Sequence, residues 1–284
     1  MGFMSTEKTL VDSFGVTLFM DYYPAKNPRG VVLLLHGIGE HAGRYAHVAA
    51  ALTSGGFATY IPDQRGSGRT GMKQFGDVTK LGRLGAGGFS AAVNDILELT
   101  HMIRAEHPRL PIFLLGHSMG SLMGQIAANA HASEYAGLIW SGSASRTPSR
   151  MNAGDLNKKF AAPGATGHEW LSRDPKVWAD FAADPWCFDA KVLALYGVAD
   201  GLKLYGRPAK TMAQTPILMF LGSDDSVGGE KSVLFLAEDY IKRSGQNDVT
   251  VTVYPEGRHE MFNEINKEQV IDDLLSWLTE RVKD

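Results

Sequence analysis

Cysteine is almost missing from this chain of 284 residues: Cys187 stands alone, so no intrachain disulfide can form and a stapled scaffold is excluded. A charge excess of either sign is missing as well. With 28 Lys and Arg against 31 Asp and Glu the formal net charge is −3, which removes the electrostatic reason to expect nucleic acid or an anionic membrane as partner. Long hydrophobic runs are lacking, since stretches such as 31–35 fall far short of the ~18 residues that a membrane span needs. Residues 1–12 carry neither a basic stretch nor an apolar run, so no signal peptide is expected. No internal repeat or low-complexity segment stands out. What remains is a composition of 44% hydrophobic and 21% charged residues, ordinary for a globular protein with a large core in one or two domains. A soluble, cytoplasmic protein is the expectation.

Strand and helix patterns alternate along most of the chain. Runs 8–11 and 16–23, split by Asp12-Ser13-Phe14-Gly15, predict an N-terminal hairpin. The run 31–35 is continuous rather than alternating, as in a strand covered on both faces of a parallel sheet. Further strands are expected at 58–61, 112–115, 138–140, 217–221 and 249–254. Helices are expected at 45–54, 89–106, 120–129 and 229–243, with a last one bearing Val270, Ile271, Leu274, Leu275 and Leu278. This alternation predicts an α/β fold with right-handed crossovers and a mostly parallel sheet behind an antiparallel hairpin. Residues 143–211 break the rhythm: they lack convincing strands and carry Trp170, Trp178 and Trp186 together with two Asp-Pro pairs. A long structureless loop is uncommon and rarely this aromatic, so an inserted helical cap is expected at 143–211, with the core at 1–142 and 212–284.

Gly116-His117-Ser118-Met119-Gly120 fits Gly-x-Ser-x-Gly, and its placement is more specific than its spelling. It follows the apolar run 112–115 and opens a helix pattern, the context in which flanking glycines permit a sharp strand-to-helix turn that lifts a serine hydroxyl clear of the backbone. A helix N-terminus beneath it favours developing negative charge. A serine needs a base, and the base needs a carboxylate to orient it. Of nine histidines, His259 is the best candidate because it stands in a short loop after the strand 249–254, at the sheet edge where the other strands end. His117 adjoins Ser118 but is expected to turn away from its working side. For the acid, Asp224 and Asp225 follow the strand 217–221 and compete; one of them is expected to cap the turn or the next helix.

Together these residues resemble the α/β-hydrolases, most nearly the monoacylglycerol lipase and lysophospholipase-like group whose domain is often called serine aminopeptidase. The resemblance is carried by the run from His36 through Gly37-Ile38-Gly39-Glu40 to Tyr45, by Asp63-Gln64-Arg65-Gly66-Ser67-Gly68, by the Ser118 motif, by Gly222-Ser223-Asp224-Asp225 and by His259-Glu260. It implies Ser118 as nucleophile, His259 as base and Asp225 as acid, with the N–H groups of Ile38 and Met119 forming the oxyanion hole. Asp63 and Arg65 are expected to brace loops. Ser67 and Thr70 depart from the family, which commonly has His and Ser there, and the cap region is where the resemblance is weakest.

The resemblance implies a cofactor-free, metal-free hydrolase of carboxylic esters, with small-molecule or lipid esters such as monoacylglycerols or lysophospholipids as substrate. The cap carries Val192, Leu193, Leu195, Tyr196, Val198 and Leu202 in one helix-like run, which would line an acyl channel or pack the cap's own core, and whose exposed remainder would touch membranes or lipid aggregates transiently. Two rivals remain. An aminopeptidase would need cap carboxylates such as Asp174, Asp180, Asp184 or Asp189 to hold a substrate ammonium. A ligand-binding protein on the same scaffold would need none of the chemistry.

Overall fold

The structure is a computed structural model, and it describes residues 5–152 and 154–282. The first residues of the expected N-terminal stretch, the last two of the chain and residue 153 of the expected cap therefore lie outside the described residues. The chain forms β1 (Thr6–Val11), β2 (Thr17–Tyr23), β3 (Gly30–Leu35), α1 (Ala46–Ser54), β4 (Phe57–Pro62), α2 (Gly68–Phe75), α3 (Gly88–Glu106), β5 (Ile112–His117), α4 (Met119–His131), β6 (Gly137–Ser141), α5 (Pro175–Ala183), α6 (Val192–Leu202), β7 (Ile217–Gly222), α7 (Gly229–Lys242), β8 (Val249–Tyr254) and α8 (Lys267–Thr279).

One sheet holds all eight strands in the order β1-β2-β4-β3-β5-β6-β7-β8. The hairpin β1–β2 and the β2–β4 pair are antiparallel, and every later pair is parallel. The reason lies in the apolar runs. In β3 every residue is buried, with Val31, Leu33 and Leu35 facing one core and Val32 and Leu34 the other. The first core is closed by Ile96, Leu99 and Ile103 of α3, Leu122 and Met123 of α4 and Leu236 of α7. The second is closed by Val48 and Leu52 of α1 and by Val270, Leu274 and Leu278 of α8. Strand β3 lies between β4 and β5, so the order reverses there, and the crevice at the carboxyl ends of β3 and β5 is where such sheets bind ligands.

Two local features differ from expectation. Helix α2 has no counterpart in the apolar pattern because it buries only Gly68, Thr70 and Gly71, leaving no periodic apolar face to recognise. The run 192–202 is not one continuous helix: Gly197 sits at φ 77°, ψ 170° and breaks it. Between β6 and β7 the chain otherwise carries α5 and turns, with no strand among the described residues. Helix α5 starts at an Asp-Pro pair, where the Asp174 carboxylate accepts the Lys176 N–H and Pro175 presets the first turn. Among the described residues no helix is long and apolar enough to cross a membrane.

Candidate active site

Ser118 stands where β5 turns into α4, at φ 50° and ψ −122°. A non-glycine residue at positive φ is strained, and the surroundings enforce it. A Cβ on Gly116 would lie 2.6 Å from the Gly120 backbone, and one on Gly120 would lie 2.5 Å from the His36 and Leu35 carbonyl oxygens. The two glycines of the motif therefore let strand, turn and helix pack closer than any side chain allows. Ser118 N–H donates to the Ser141 carbonyl at 2.9 Å, fastening the turn to β6, and its own carbonyl accepts the Ser121 hydroxyl at 2.6 Å.

His259 follows β8 and Asp225 follows β7. The structure brings them together: His259 Nδ1 lies 3.0 and 3.1 Å from the two Asp225 oxygens, and both residues are buried. Asp225 Oδ1 also accepts the Val227 N–H at 2.8 Å, which fixes the carboxylate. Asp224, its rival, points instead to Lys159. Burial alone would lower the His259 pKa, but the adjacent Asp225 charge and its hydrogen bond outweigh it and raise the value above the ordinary 6.5. Among the described residues His259 Nε2 is buried and makes no hydrogen bond, so the expected Ser118–His259 bond is not formed in this state. Such bonds often close only around substrate.

The His117 ring packs 4.8 Å from that of His259, and its Nδ1 lies 3.1 Å from the Ser141 hydroxyl. Burial, then the His259 neighbour, push it down to about 4, so it is a neutral wall of the site at physiological pH. The Trp170 ring also packs on the imidazole of His259, at 4.9 Å, and the Trp170 carbonyl accepts the His259 N–H at 3.3 Å.

The N–H groups of Ile38 and Met119 donate to no acceptor among the described residues, and both residues border a cavity of about 20 Å³ together with Gly37, Leu84, Met123 and Tyr196. The loop bearing Ile38 is held from two sides. His36 Nδ1 lies 2.6 Å from the Gly37 carbonyl while its Nε2 accepts the Gln64 N–H at 3.0 Å. Glu40 Oε1 accepts both the Gly37 N–H at 2.6 Å and the Tyr45 hydroxyl at 2.7 Å. Arg44 then bridges Glu40 Oε2 at 2.6 Å and both oxygens of Glu260 at 2.6 and 2.8 Å. Glu260 is the neighbour of His259, so one guanidinium joins the Ile38 loop to the His259 loop. Farther out, Asp63 accepts the Ala42 N–H at 2.9 Å, and Arg65 is buried between Asp12 and Asp95.

Glu40 and Glu260 stand in separate sequence motifs, and nothing in either motif signals their complete link through Arg44. The i, i+4 spacing of Glu40 and Arg44 was a signal for half of it. In the sequence Trp170 is only one of three tryptophans of the expected cap, and nothing there places it against His259.

A strained serine between a parallel strand and a helix, a buried histidine–carboxylate pair after the last two strands, and N–H groups at the switch point without an acceptor among the described residues together define an α/β-hydrolase. Comparison with known proteins narrows the class. Residues 26–266 match the family described as serine aminopeptidase, S33, and the chain belongs to that family. It is a monoacylglycerol lipase-like carboxylic ester hydrolase, 34% identical to a monoacylglycerol lipase of Mycolicibacterium smegmatis over 93% of both chains. A thermostable carboxyl esterase from Bacillus coagulans, solved with glycerol, superposes with a TM-score of 0.80 at 23% identity, covering 98% of this chain and 99% of that one. The Saccharomyces cerevisiae monoglyceride lipase, solved with a substrate analogue, does so with a TM-score of 0.76 at 21% identity, covering 99% of this chain and 96% of that one.

Proposed function

We propose that the chain cleaves monoacylglycerols and kindred acyl esters through Ser118, His259 and Asp225. The observation that carries this reading is the His259 imidazole, anchored through Nδ1 by Asp225 while its Nε2 is uncommitted and its ring packs on that of His117, the neighbour of Ser118. Ser118 Oγ attacks the ester carbonyl as His259 Nε2 takes its proton. The carbonyl oxygen becomes an oxyanion held by the N–H groups of Ile38 and Met119, where fixed donors act only once the charge has formed. Collapse expels the alcohol with the proton from His259, leaving an acyl-serine that water cleaves by the same sequence. Asp225 keeps the imidazole in the tautomer and orientation both halves require.

Residues 143–211 act in this reading as a cap on a core formed by 1–142 and 212–284. The four cap carboxylates that a peptidase would use to hold an ammonium group are otherwise engaged: Asp174 caps α5, Asp180 pairs with Lys176, Asp184 with His41 and Asp189 with His168. This favours esters over amino-terminal peptides. On α6, Leu193, Val198 and Leu202 are exposed, which supports transient contact of a cytoplasmic, peripheral enzyme with lipid surfaces.

The test is hydrolysis of a monoacylglycerol and of p-nitrophenyl esters of graded chain length by the purified chain, its Ser118→Ala variant and its His259→Ala variant. Turnover by the parent chain and its loss in both variants is expected. Undiminished turnover in Ser118→Ala, or amino-acid anilides cleaved faster than esters, overturns the reading.

A further inference from the structure

Outside the Ser118 site, one grouping among the described residues has the donor chemistry of a metal centre. One ligand atom each from His41, Asp184 and Cys187 lies within 4.8 Å of the other two, all three residues being half-buried. They come from separate parts of the chain. His41 closes the loop that carries Gly37 and Ile38, whereas Asp184 and Cys187 belong to the turn after α5.

The donors are held rather than merely near. His41 Nε2 lies 2.8 Å from Asp184 Oδ2, while Asp184 Oδ1 accepts the Trp186 N–H at 2.8 Å. The Cys187 N–H donates to the Asp184 carbonyl at 3.0 Å, so carboxylate and thiol are set by one tight turn. The Phe188 N–H donates to the Gly39 carbonyl at 3.0 Å and fastens that turn to the loop of His41. The Trp186 ring meets the His41 ring edge-on at 5.3 Å and closes one side.

Donor type points to the cation. Imidazole nitrogen, sulfur and one carboxylate oxygen form a borderline-soft set that suits Zn²⁺ and is poor for Mg²⁺ or Ca²⁺. Zinc bonds of ~2.0–2.3 Å place tetrahedral ligands roughly 3–4 Å apart, so side-chain rotation suffices to close the set. Charge agrees: Glu40 and Glu260 flank the single Arg44, and Asp184 adds a further negative charge nearby, so a dication enters an acidic surround. The cost is the 3.2 Å hydrogen bond from Gly43 N–H to His41 Nδ1, because a neutral ring ligating through Nε2 carries its proton on Nδ1.

We propose that His41, Asp184 and Cys187 form a binding site for a thiophilic divalent cation of the zinc class, with water in the fourth position, and that its occupancy clamps the inserted segment onto the loop bearing Ile38. The imidazole proton moves from Nε2 to Nδ1, the Cys187 thiol gives its proton to solvent, and one proton is released per cation bound. No step of ester cleavage runs through the cation, so the site stands or falls independently of the proposed activity.

The experiment is a titration of the full-length, reduced protein with Co²⁺, followed by competition with Zn²⁺ against a chromophoric chelator. One equivalent of Co²⁺ is expected to produce a thiolate-to-metal charge-transfer band that one equivalent of Zn²⁺ abolishes. Cys187→Ser should remove the band, and His41→Ala and Asp184→Asn should each weaken Zn²⁺ binding by tenfold or more, with thermal unfolding showing that the variants remain folded. Absence of the band in the parent protein overturns the proposal. So does Zn²⁺ affinity that is unchanged in Cys187→Ser and in His41→Ala, which would place the cation on other histidines. Because the band is read on the parent protein, a variant that fails to fold does not protect the idea from refutation.

Discussion

Ser118 concentrates two opposing demands in one residue. Its backbone is held at φ 50°, which costs a side-chain-bearing residue about 1–3 kcal/mol, and that turn is what presents its hydroxyl at the end of β5. Ser118→Gly is therefore expected to raise the unfolding temperature by ~2 °C or more while abolishing ester turnover, a trade read by calorimetry and by the p-nitrophenyl ester assay. A fall in melting temperature would mean that the turn is not strained. Asp225 makes the complementary case. Its charge and hydrogen bond raise the His259 pKa against the pull of burial, and general-base catalysis needs the neutral ring. The rate should thus rise as pH climbs through that raised value, with its acid limb above the ordinary histidine position of 6.5. Asp225→Asn is expected to lower kcat by ~10⁴-fold and to shift the acid limb to lower pH. A pH–rate profile of the residual activity checks the direction. The linkage also fixes a sign for stability: a raised histidine pKa stabilises the fold below the unfolded value, and this contribution disappears as pH rises through the folded one.

Among the elements, the loop after β3 and the loop after β8 are coupled by one buried cation. Arg44 holds Glu40 and Glu260 together, and Glu40 in turn holds the Gly37 N–H. Burial would push the Glu40 carboxyl up, but Arg44 and nearby histidines pull it down to about 2. A depressed carboxylate stabilises the fold above its unfolded pKa, and that contribution is lost as pH falls from about 4.5 towards about 2. Arg44→Met leaves two buried carboxylates uncompensated, so a loss of about 3–5 kcal/mol is expected from chemical denaturation. The same variant should lower kcat by ~10–100-fold with a smaller effect on KM, because the Ile38 donor and His259 lose their shared anchor. Arg44→Lys should recover only part of the loss, since an ammonium cannot reproduce the two-pronged grip on Glu260. Equal kcat in all three proteins would reduce Arg44 to packing. This link also marks the limit of what could be read from the chain. Strands β3, β5 and β7 were legible because a doubly covered strand leaves an unbroken apolar run, and Ser118 was legible because it follows such a strand; His259 follows the half-exposed, alternating β8, and the strand end at β7 left Asp224 and Asp225 competing until the family resemblance chose Asp225. The Arg44–Glu260 contact spans 216 positions and has no local pattern. Helix α2 was hidden for a related reason, since its buried face is made of Gly68, Thr70 and Gly71, and the break in α6 was hidden because a glycine inside an apolar run gives no warning of its φ.

At the scale of the whole molecule, net charge and apolar surface make separable predictions about lipid contact. The chain carries a net charge of −3, so attraction to anionic headgroups supplies no drive. What α6 offers instead is Leu193, Val198 and Leu202, which are 62%, 67% and 59% exposed on either side of the Gly197 break. Burying the exposed parts of three such side chains in an interface is worth about 3 kcal/mol, a factor of ~100 in partitioning. Binding driven this way depends on apolar area and not on headgroup charge. Flotation with zwitterionic vesicles should therefore recover the protein as well as flotation with vesicles rich in anionic lipid, and added salt should not release it. Val198→Asp is expected to cut vesicle recovery by ~10-fold or more, and to lower turnover of an emulsified long-chain monoacylglycerol more than that of a dissolved short-chain ester. Recovery that needs anionic lipid and collapses with salt would assign the contact to a basic patch elsewhere. Recovery unchanged in Val198→Asp would remove α6 from the lipid surface and leave its exposed side chains without a lipid role.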